Sequence, residues 1–449
     1  MSTFTNFKVH PINGQVTFQI HHIDLAFANT IRRVILSELP NVGVKFDPYD
    51  SSKSDIHFIE NTSSLHNEFL GHRLSLLPIR VTEDEIDTYD SEKYKFVINV
   101  HNTSHEKLNV TSNDIKIYDQ NGKEYGEDVH KKIFPVSSLT QDPILLVVLN
   151  PNHYNTEFGE KLHVEFRASI GIGSDHSRFS PVSTCTYFNL IDEEKAEQAK
   201  KFLIEKTEKS LSDKAGKKTV LDEDHKQKLI QRFEVHDKYR YFKTNQYDEA
   251  DCFEFTLESE CRMTPKYLMT KAFEVIQKKC ESLLNEKRYK IMHLGSNMYF
   301  SILLKNENHT LGNLLQSFFY NIYVRDQNIL DMIGYYLVHP LVDEIMIKLK
   351  FNESTEEKTI EDVDNLFKNG IQDLIHILDE MKDTWIKDYD QNMGINFSKE
   401  DTNKVKETKM KKGEKDTKVV KKQASSKSTT KVSKSVSKST KEPKANKSS

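Results

Sequence analysis

Three groups of residues in this 449-residue chain have side chains that could do chemistry. His66, Glu68 and His72 offer two imidazoles and a carboxylate, the ligand types of a zinc site. In the zincin arrangement two histidines at i and i+4 share a helix face with a glutamate between them, and the spacing here matches no such pattern. Gly171-x-Gly173 could let a phosphate approach the backbone. The third glycine of a dinucleotide loop is missing, however, and no Lys-Ser/Thr pair follows, so the stretch reads as a tight turn after a strand with His176 and Arg178 available for contacts. Cys185, Cys252, Cys261 and Cys280 are scattered without a C-x-x-C spacing. They suit free thiols in a reducing compartment and argue against a four-cysteine zinc site. No metal, no cofactor and no catalytic residue is expected.

The elements around these groups are more informative. Asn308-His309-Thr310-Leu311-Gly312-Asn313-Leu314-Leu315-Gln316-Ser317-Phe318-Phe319-Tyr320 reads as a strand-to-helix junction, with Asn308 or Thr310 as N-cap. Leu311, Leu314, Leu315, Phe318, Phe319 and Ile322 recur at helical spacing and make a wide apolar stripe. Each such side chain is worth about 1.5–3 kcal/mol when buried. Left in water, the stripe would be a patch that soluble monomers rarely expose. The helix must therefore pack against another large apolar surface.

That surface is sought near the N-terminus. Ala28-Asn29-Thr30-Ile31-Arg32-Arg33-Val34-Ile35-Leu36 aligns with Gly312 to Tyr320 at a constant offset, with a small residue before Asn and apolar pairs in the same phase. Each helix follows a short alternating run, Gln15–Ile20 in one case and Tyr299–Leu304 in the other. Asp24 can cap the first helix, and Pro40 ends it. Leu25, Ala28, Ile31, Ile35 and Leu39 form its expected inner stripe. Two copies fit two related halves that pair through these helices, as against two unrelated amphipathic helices.

Phe27-Ala28-Asn29-Thr30-Ile31-Arg32-Arg33-Val34 resembles the alpha motif of cellular RNA polymerases, found in bacterial alpha, in its larger archaeal counterpart and in the third subunit of polymerase II. Glu307-Asn308-His309-Thr310-Leu311-Gly312-Asn313-Leu314 resembles the smaller partner, which in polymerase II is the eleventh subunit and has its own archaeal counterpart. One chain with both resembles the fused subunit of large cytoplasmic DNA viruses. The resemblance covers most of residues 1–385. It implies dimerisation through Ala28, Asn29, Ile31, Ile35, His309, Thr310, Leu311, Gly312, Asn313, Leu314, Leu315, Phe318 and Phe319. It also implies that Arg32, Arg33, Glu68 and Arg73 dock the two large catalytic subunits, a role suited to planar, always-charged guanidinium groups. Glu68–Ile79 resembles the segment that enters the family's inserted domain, and Ile170–Val182 the segment that leaves it. Many relatives carry a zinc loop or iron–sulfur cluster there on closely spaced cysteines, which this sequence lacks.

The implied fold is α+β, with two alpha-like dimerisation halves paired within one chain. Residues 1–40 and 251–290 form a discontinuous first dimerisation domain. Residues 41–190 are an inserted, mostly β domain, with Asn121-Gly122 and Asn150-Pro151 among its turns. Residues 191–250 are a charged insertion, helical from Glu193 to Lys209 and flexible from Ser210 to Asp224. Thr264-Pro265 opens a helix with cap and N1 proline in the preferred order. Residues 296–386 form the second dimerisation domain. Its last helix carries a seam of Ile360, Val363, Phe367, Ile371, Leu374, Leu378, Met381 and Trp385, for which the helix from Pro265 is the natural partner. Residues 397–449 are a disordered Lys/Ser-rich tail.

Composition bounds the function. The net charge of −4 hides an asymmetry: residues 401–449 hold 16 Lys against 5 Asp and Glu, so the rest of the chain is acidic. An acidic body fits protein partners better than the wrapping of DNA. Polymerisation needs carboxylates that hold two Mg²⁺, and no Asp-x-Asp-x-Asp run is present. Met1-Ser2-Thr3-Phe4 lacks a secretion signal, and no apolar run is long enough to span a bilayer. The expectation is a non-catalytic assembly subunit of a multisubunit DNA-directed RNA polymerase. Its partners would be the two largest subunits and small assembly subunits, with DNA engaged only through the complex. Its setting would be cytoplasmic (a viral factory or virion if viral), with the nucleus as alternative. The rival from another class is a nucleic-acid-binding or chromatin-associated protein acting through the basic tail.

Overall fold

A computed structural model describes residues 3–10, 14–136, 140–152, 159–215, 222–259, 263–293, 295, 298–352 and 358–424. Side chains are described to 210 in the helix that begins at Glu193 and to 393 in the last helix. Elements are numbered in chain order.

The first half is an antiparallel sheet with helices on one face. Its strands β1 (Thr3–Val9), β2 (Val16–His21), β11 (Val182–Asn189) and β12 (Cys252–Ser259) lie in the order β1-β2-β12-β11. Period-two alternation buries Val16, Phe18 and Ile20 beside Phe253, Phe255 and Leu257. Phe18 stacks on Phe255 with ring centroids 5.6 Å apart. The presence of β11 here corrects the span of the insert, which was expected to include residues 182–189. A bulge between Val182 and Thr184 turns Val182 and Cys185 to the buried face, which makes this strand the edge partner β12 needs.

Helices α1 (Leu25–Ser37) and α7 (Pro265–Asn285) carry the apolar face of this half. In α1, Ala26, Phe27, Ala28, Thr30, Ile31, Val34 and Ile35 are buried, whereas Leu25, expected inside, is 47% exposed. The buried arc is wider than one stripe because α1 packs against both α7 and a helix of the second half.

Between α1 and β11 runs the insert. Strands β4 (Ile56–Asn61), β5 (Lys95–His101), β7 (Ile115–Tyr118) and β9 (Lys161–Phe166) form a sheet in the order β4-β9-β5-β7. Two strand pairs accompany it, β3 (Pro40–Gly43) with β10 (Ser169–Ile172) and β6 (Leu108–Thr111) with β8 (Leu145–Leu149). Three short helices, α2 (Asn67–Ser75), α3 (Glu83–Ile86) and α4 (Glu127–Ile133), edge these sheets. The charged insertion holds α5 (Glu193–Ala215), longer than expected, and α6 (Glu223–Arg232), which ends in a π turn at Phe233–Asp237. The flexible loop expected at Ser210–Asp224 is therefore helical at its start, and its residues 216–221 lie outside the described set.

The second half repeats the plan. Strands β13 (Tyr289–His293), β14 (Tyr299–Lys305), β15 (Leu330–His339) and β16 (Val342–Phe351) lie in the order β13-β14-β16-β15. Helix α8 (His309–Phe319) packs on this sheet, and α9 (Ile360–Ala424) follows. After Phe319 the chain widens into a π turn, Tyr320–Asp326. The extra residue shifts the phase, so Tyr323 is buried while Ile322, expected in the stripe, is only half-buried. Along α9 the seam from Val363 to Trp385 is buried, but Ile360, in its first turn, is 50% exposed. Residues 1–392 form one unit and 393–449 a second. The expected tail, 397–449, falls where side chains, and from 425 the backbone also, are outside the described set. Among the described residues no helix is long and apolar enough to cross a membrane.

Candidate assembly interface

The two central helices begin with the same device. Asp24 Oδ1 accepts from Ala26 N at 3.4 Å, and Asn308 Oδ1 accepts from Thr310 N at 2.8 Å. These caps satisfy amides that have no partner within the helix. They also set the phase in which Ala28, Ile31 and Ile35 on α1, and Leu311, Leu314, Leu315, Phe318 and Phe319 on α8, are buried.

The helices meet directly. Thr30 Oγ1 donates to the Thr310 carbonyl at 3.4 Å. The Phe27 and Phe318 rings meet edge to face, centroids 6.3 Å apart. Asp24 acts twice: its free oxygen, Oδ2, accepts from Ser317 Oγ and, at 3.5 Å, from Asn321 Nδ2. One carboxylate thus caps α1 and ties it to the far end of α8.

Helix α9 joins the halves a second time. Trp385 is fully buried among Phe4, Phe7 and Phe18 of the first sheet, with centroids 5.1, 5.6 and 4.9 Å away. Its indole N–H donates to the Lys266 carbonyl at 3.1 Å, and Phe4 N donates to Asp388 at 2.9 Å. Gln277 Nε2 donates to the Ile375 carbonyl at 3.4 Å, which places α7 beside α9. The close approach of α9 to α8 depends on Gly370, where a Cβ would stand 2.6 Å from the Phe319 ring.

An ionic cluster around the buried Glu307 lies where the halves join. Lys279 reaches Glu38 at 2.6 Å and Glu307 at 3.7 Å, and Arg288 reaches Glu307 at 3.5 Å. Burial pushes the Glu307 carboxyl above its usual range, while Lys279 and Arg288 pull it back. Loss of either cation would leave a buried charge short of compensation.

Of the remaining residues expected at the pairing face, Gly312, His309 and Asn29 make contacts within their own half. Gly312 allows α8 to lie on its own sheet, since a Cβ there would be 2.7 Å from Tyr335 and 2.9 Å from Ile345. His309 is exposed and its Nδ1 lies 3.2 Å from the Tyr335 hydroxyl. Asn29 accepts from Arg32 at 3.2 and 2.9 Å, and Asn313 is half-buried.

Of the four residues expected to dock large subunits, Arg32 and Arg33 lie half-buried on α1. Glu68 and Arg73 lie exposed on α2, with Arg73 donating to the Leu145 carbonyl at 2.8 Å. The turn after β10 packs on the end of α1: a Cβ on Gly173 would be 2.3 Å from the Leu36 carbonyl, and Ser174 N donates to Ser37 O at 2.8 Å. Of the glycine pair read as a turn, Gly171 lies within β10 and only Gly173 is in the turn. Arg178 anchors it by donating to Val44 O at 2.8 Å. Cys185 and Cys280 are buried, and their thiols are pushed up to about 12, so neither offers a thiolate near neutral pH. Among the described residues no group of three His, Cys, Asp or Glu could hold a metal ion.

Two stretches match one family description, RNA polymerase Rpb3/Rpb11 dimerisation domain: residues 17–280 and residues 299–384. The chain belongs to that family. The Rpb3/Rpb11-type matches between them hold both central helices and most of α7 and α9 up to Thr384. The chain is 27% identical over 306 residues to the RPAC1 subunit of RNA polymerases I and III from Saccharomyces cerevisiae, covering 60% of this chain and 84% of that one. It is 26% identical over 309 residues to the human RPAC1 subunit, covering 63% and 84%. With the archaeal subunit Rpo3 of Methanopyrus kandleri it shares 25% over 275 residues, covering 60% and 90%.

Proposed function

We propose that this chain is a non-catalytic assembly subunit of a multisubunit DNA-directed RNA polymerase, with both members of an alpha-like pair in one polypeptide. The observation that carries the reading is the double role of Asp24, which caps α1 and binds Ser317 of α8 and Asn321 of the π turn after it. A residue so used ties the pairing of the halves to the start of the helix that pairs. The seating of Trp385 in the first sheet supports the same conclusion.

On this reading residues 1–40 and 251–286, with β11 added, make the first dimerisation domain, and residues 296–386, with β13 added, the second. Ala28, Ile31, Ile35, Leu311, Leu314, Leu315, Phe318 and Phe319 form the shared core. His309 and Gly312 position α8 on its own sheet, and Asn29, Thr310 and Asn313 complete the pairing face. Arg32, Arg33, Glu68 and Arg73 make the platform for the two largest subunits, and DNA is met only through the complex. The test is affinity purification of the tagged full-length chain from native extract. The reading expects stoichiometric recovery of the two largest polymerase subunits, weakened by Arg32→Ala with Arg73→Ala. Their absence from a stable complex would refute it.

A further inference from the structure

We propose that the charged insertion is a clamp in cis, whose loop Asn245–Glu249 closes on Arg325 and holds the second half against the first. The proposal rests on the reading that the halves pair within one chain, and gives the insertion a function in that pairing.

The loop is shaped before it meets its target. Asn245 Oδ1 accepts from Tyr247 N at 2.8 Å and Glu249 N at 3.1 Å, and Asn245 N donates to Glu249 O at 2.8 Å. Asp248 takes the left-handed conformation (φ 64°) that closes the turn, and Thr244 pairs with Ala250 at its base. Tyr247 and Glu249 are thereby presented by local bonds alone.

Arg325 stands in the π turn that extends α8, and it is held between two residues of the loop, Tyr247 and Glu249, and two of its own turn, Tyr320 and Asn321. Its Nη1 and Nη2 donate to the two oxygens of Glu249 at 2.7 and 2.6 Å, a bidentate fork. Its guanidinium lies 4.3 Å from the Tyr247 ring and 4.8 Å from the Tyr320 ring. Nη1 also donates to Asn321 Oδ1 at 3.0 Å, and Asn321 is the residue that reaches Asp24. An isolated surface ion pair contributes little. This one is planar, doubly bonded and stacked between aromatic faces, and Arg325 is only 18% exposed.

The loop is anchored in the first half. Ile23 N donates to Asp251 O at 3.2 Å, Lys243 N to Leu190 O at 2.9 Å, and Leu190 N to Cys252 O at 2.9 Å. Strain on Arg325 is therefore carried to the strands β2, β11 and β12. The body of the insertion, by contrast, pairs its own charges, as in Lys238 with Glu193 and Lys200 with Glu234. The Glu249–Arg325 pair instead crosses between halves.

The test separates the clamp from the pairing itself. A protease site is placed between Glu286 and Lys287, in the exposed turn after α7, and the full chain is immobilised by an N-terminal tag and nicked. The rate at which the 287–449 fragment washes off is then measured. The unsubstituted nicked chain is expected to retain it. Arg325→Ala, and Glu249→Ala at the exposed side of the pair, are expected to release it about 10–100-fold faster. The exchange Glu249→Arg with Arg325→Glu is expected to recover part of the loss. Release of both alanine variants at the unsubstituted rate would overturn the clamp and leave the pairing intact. Immediate release from the unsubstituted nicked chain would overturn the pairing and the clamp with it.

Discussion

Asp24→Asn tests the junction at a single residue. The substitution keeps an oxygen for the Ala26 amide, so the cap of α1 survives. It replaces the other oxygen with an NH₂ that faces Ser317 and Asn321 and cannot accept from them. A hydrogen bond to a charged acceptor is worth about 1.5–3 kcal/mol, and Asp24→Asn should cost that much. Asp24→Ala removes the cap as well, worth about 0.5–2 kcal/mol, and should cost about 2–5 kcal/mol in all. The assay is urea unfolding of the full chain, with Ser317→Ala added to close a double-mutant cycle. A coupling of about 1 kcal/mol or more between positions 24 and 317 is expected, as for residues in direct contact. If Asp24→Asn unfolds at the unsubstituted midpoint while Asp24→Ala loses only the cap, the contact between halves carries no stability and the reasoning is wrong.

Gly312→Ala would put a Cβ 2.7 Å from the Tyr335 ring; overpacking of this kind costs about 1–3 kcal/mol, read as a lower melting temperature. Leu315→Ala opens a cavity at a fully buried site and should cost about 2–5 kcal/mol in urea unfolding, whereas Leu25→Ala, on the exposed side of α1, should cost little. Arg325 holds the Glu249 carboxyl below the usual glutamate range. Its contribution is therefore full above the unfolded value of about 4.3 and is lost as pH falls through the lower folded value. The gap in urea midpoint between the unsubstituted chain and Glu249→Gln should be widest at neutral pH and close below about pH 4; a gap independent of pH would count against the ion pair.

Much of this architecture is legible in the sequence because it is written locally. The caps Asp24 and Asn308 and the apolar spacing of α1 and α8 depend on neighbours a few residues away, and a period of 3.6 displays them. The repeated small-residue–Asn step shows that the two helices are copies. Most of the misses are contacts between residues distant in the chain. Edge strand β11 is chosen by the unfilled side of β12, which no feature of residues 182–189 announces. Ile322 and Tyr323 exchange places because a π turn inserts one residue, and nothing in Tyr320–Asp326 marks it. Gly370 is visible as a glycine within a helical run, which signals a close approach but not the ring it approaches. Glu249 and Arg325 read as ordinary surface charges, since only the fold brings them together. The four residues expected to dock are legible as types, but their placement on α1 and α2 is set by the tertiary structure.

The central claim is that α1 and α8 close on each other within a single chain. The direct measurement is a nuclear Overhauser contact between the rings of Phe27 and Phe318, 6.3 Å apart between centroids, in chains with selectively labelled phenylalanine. The account predicts the contact in the monomeric fraction, undiminished when labelled chains are diluted into unlabelled ones. Its absence, or its appearance only between differently labelled chains in a dimer, would contradict the account.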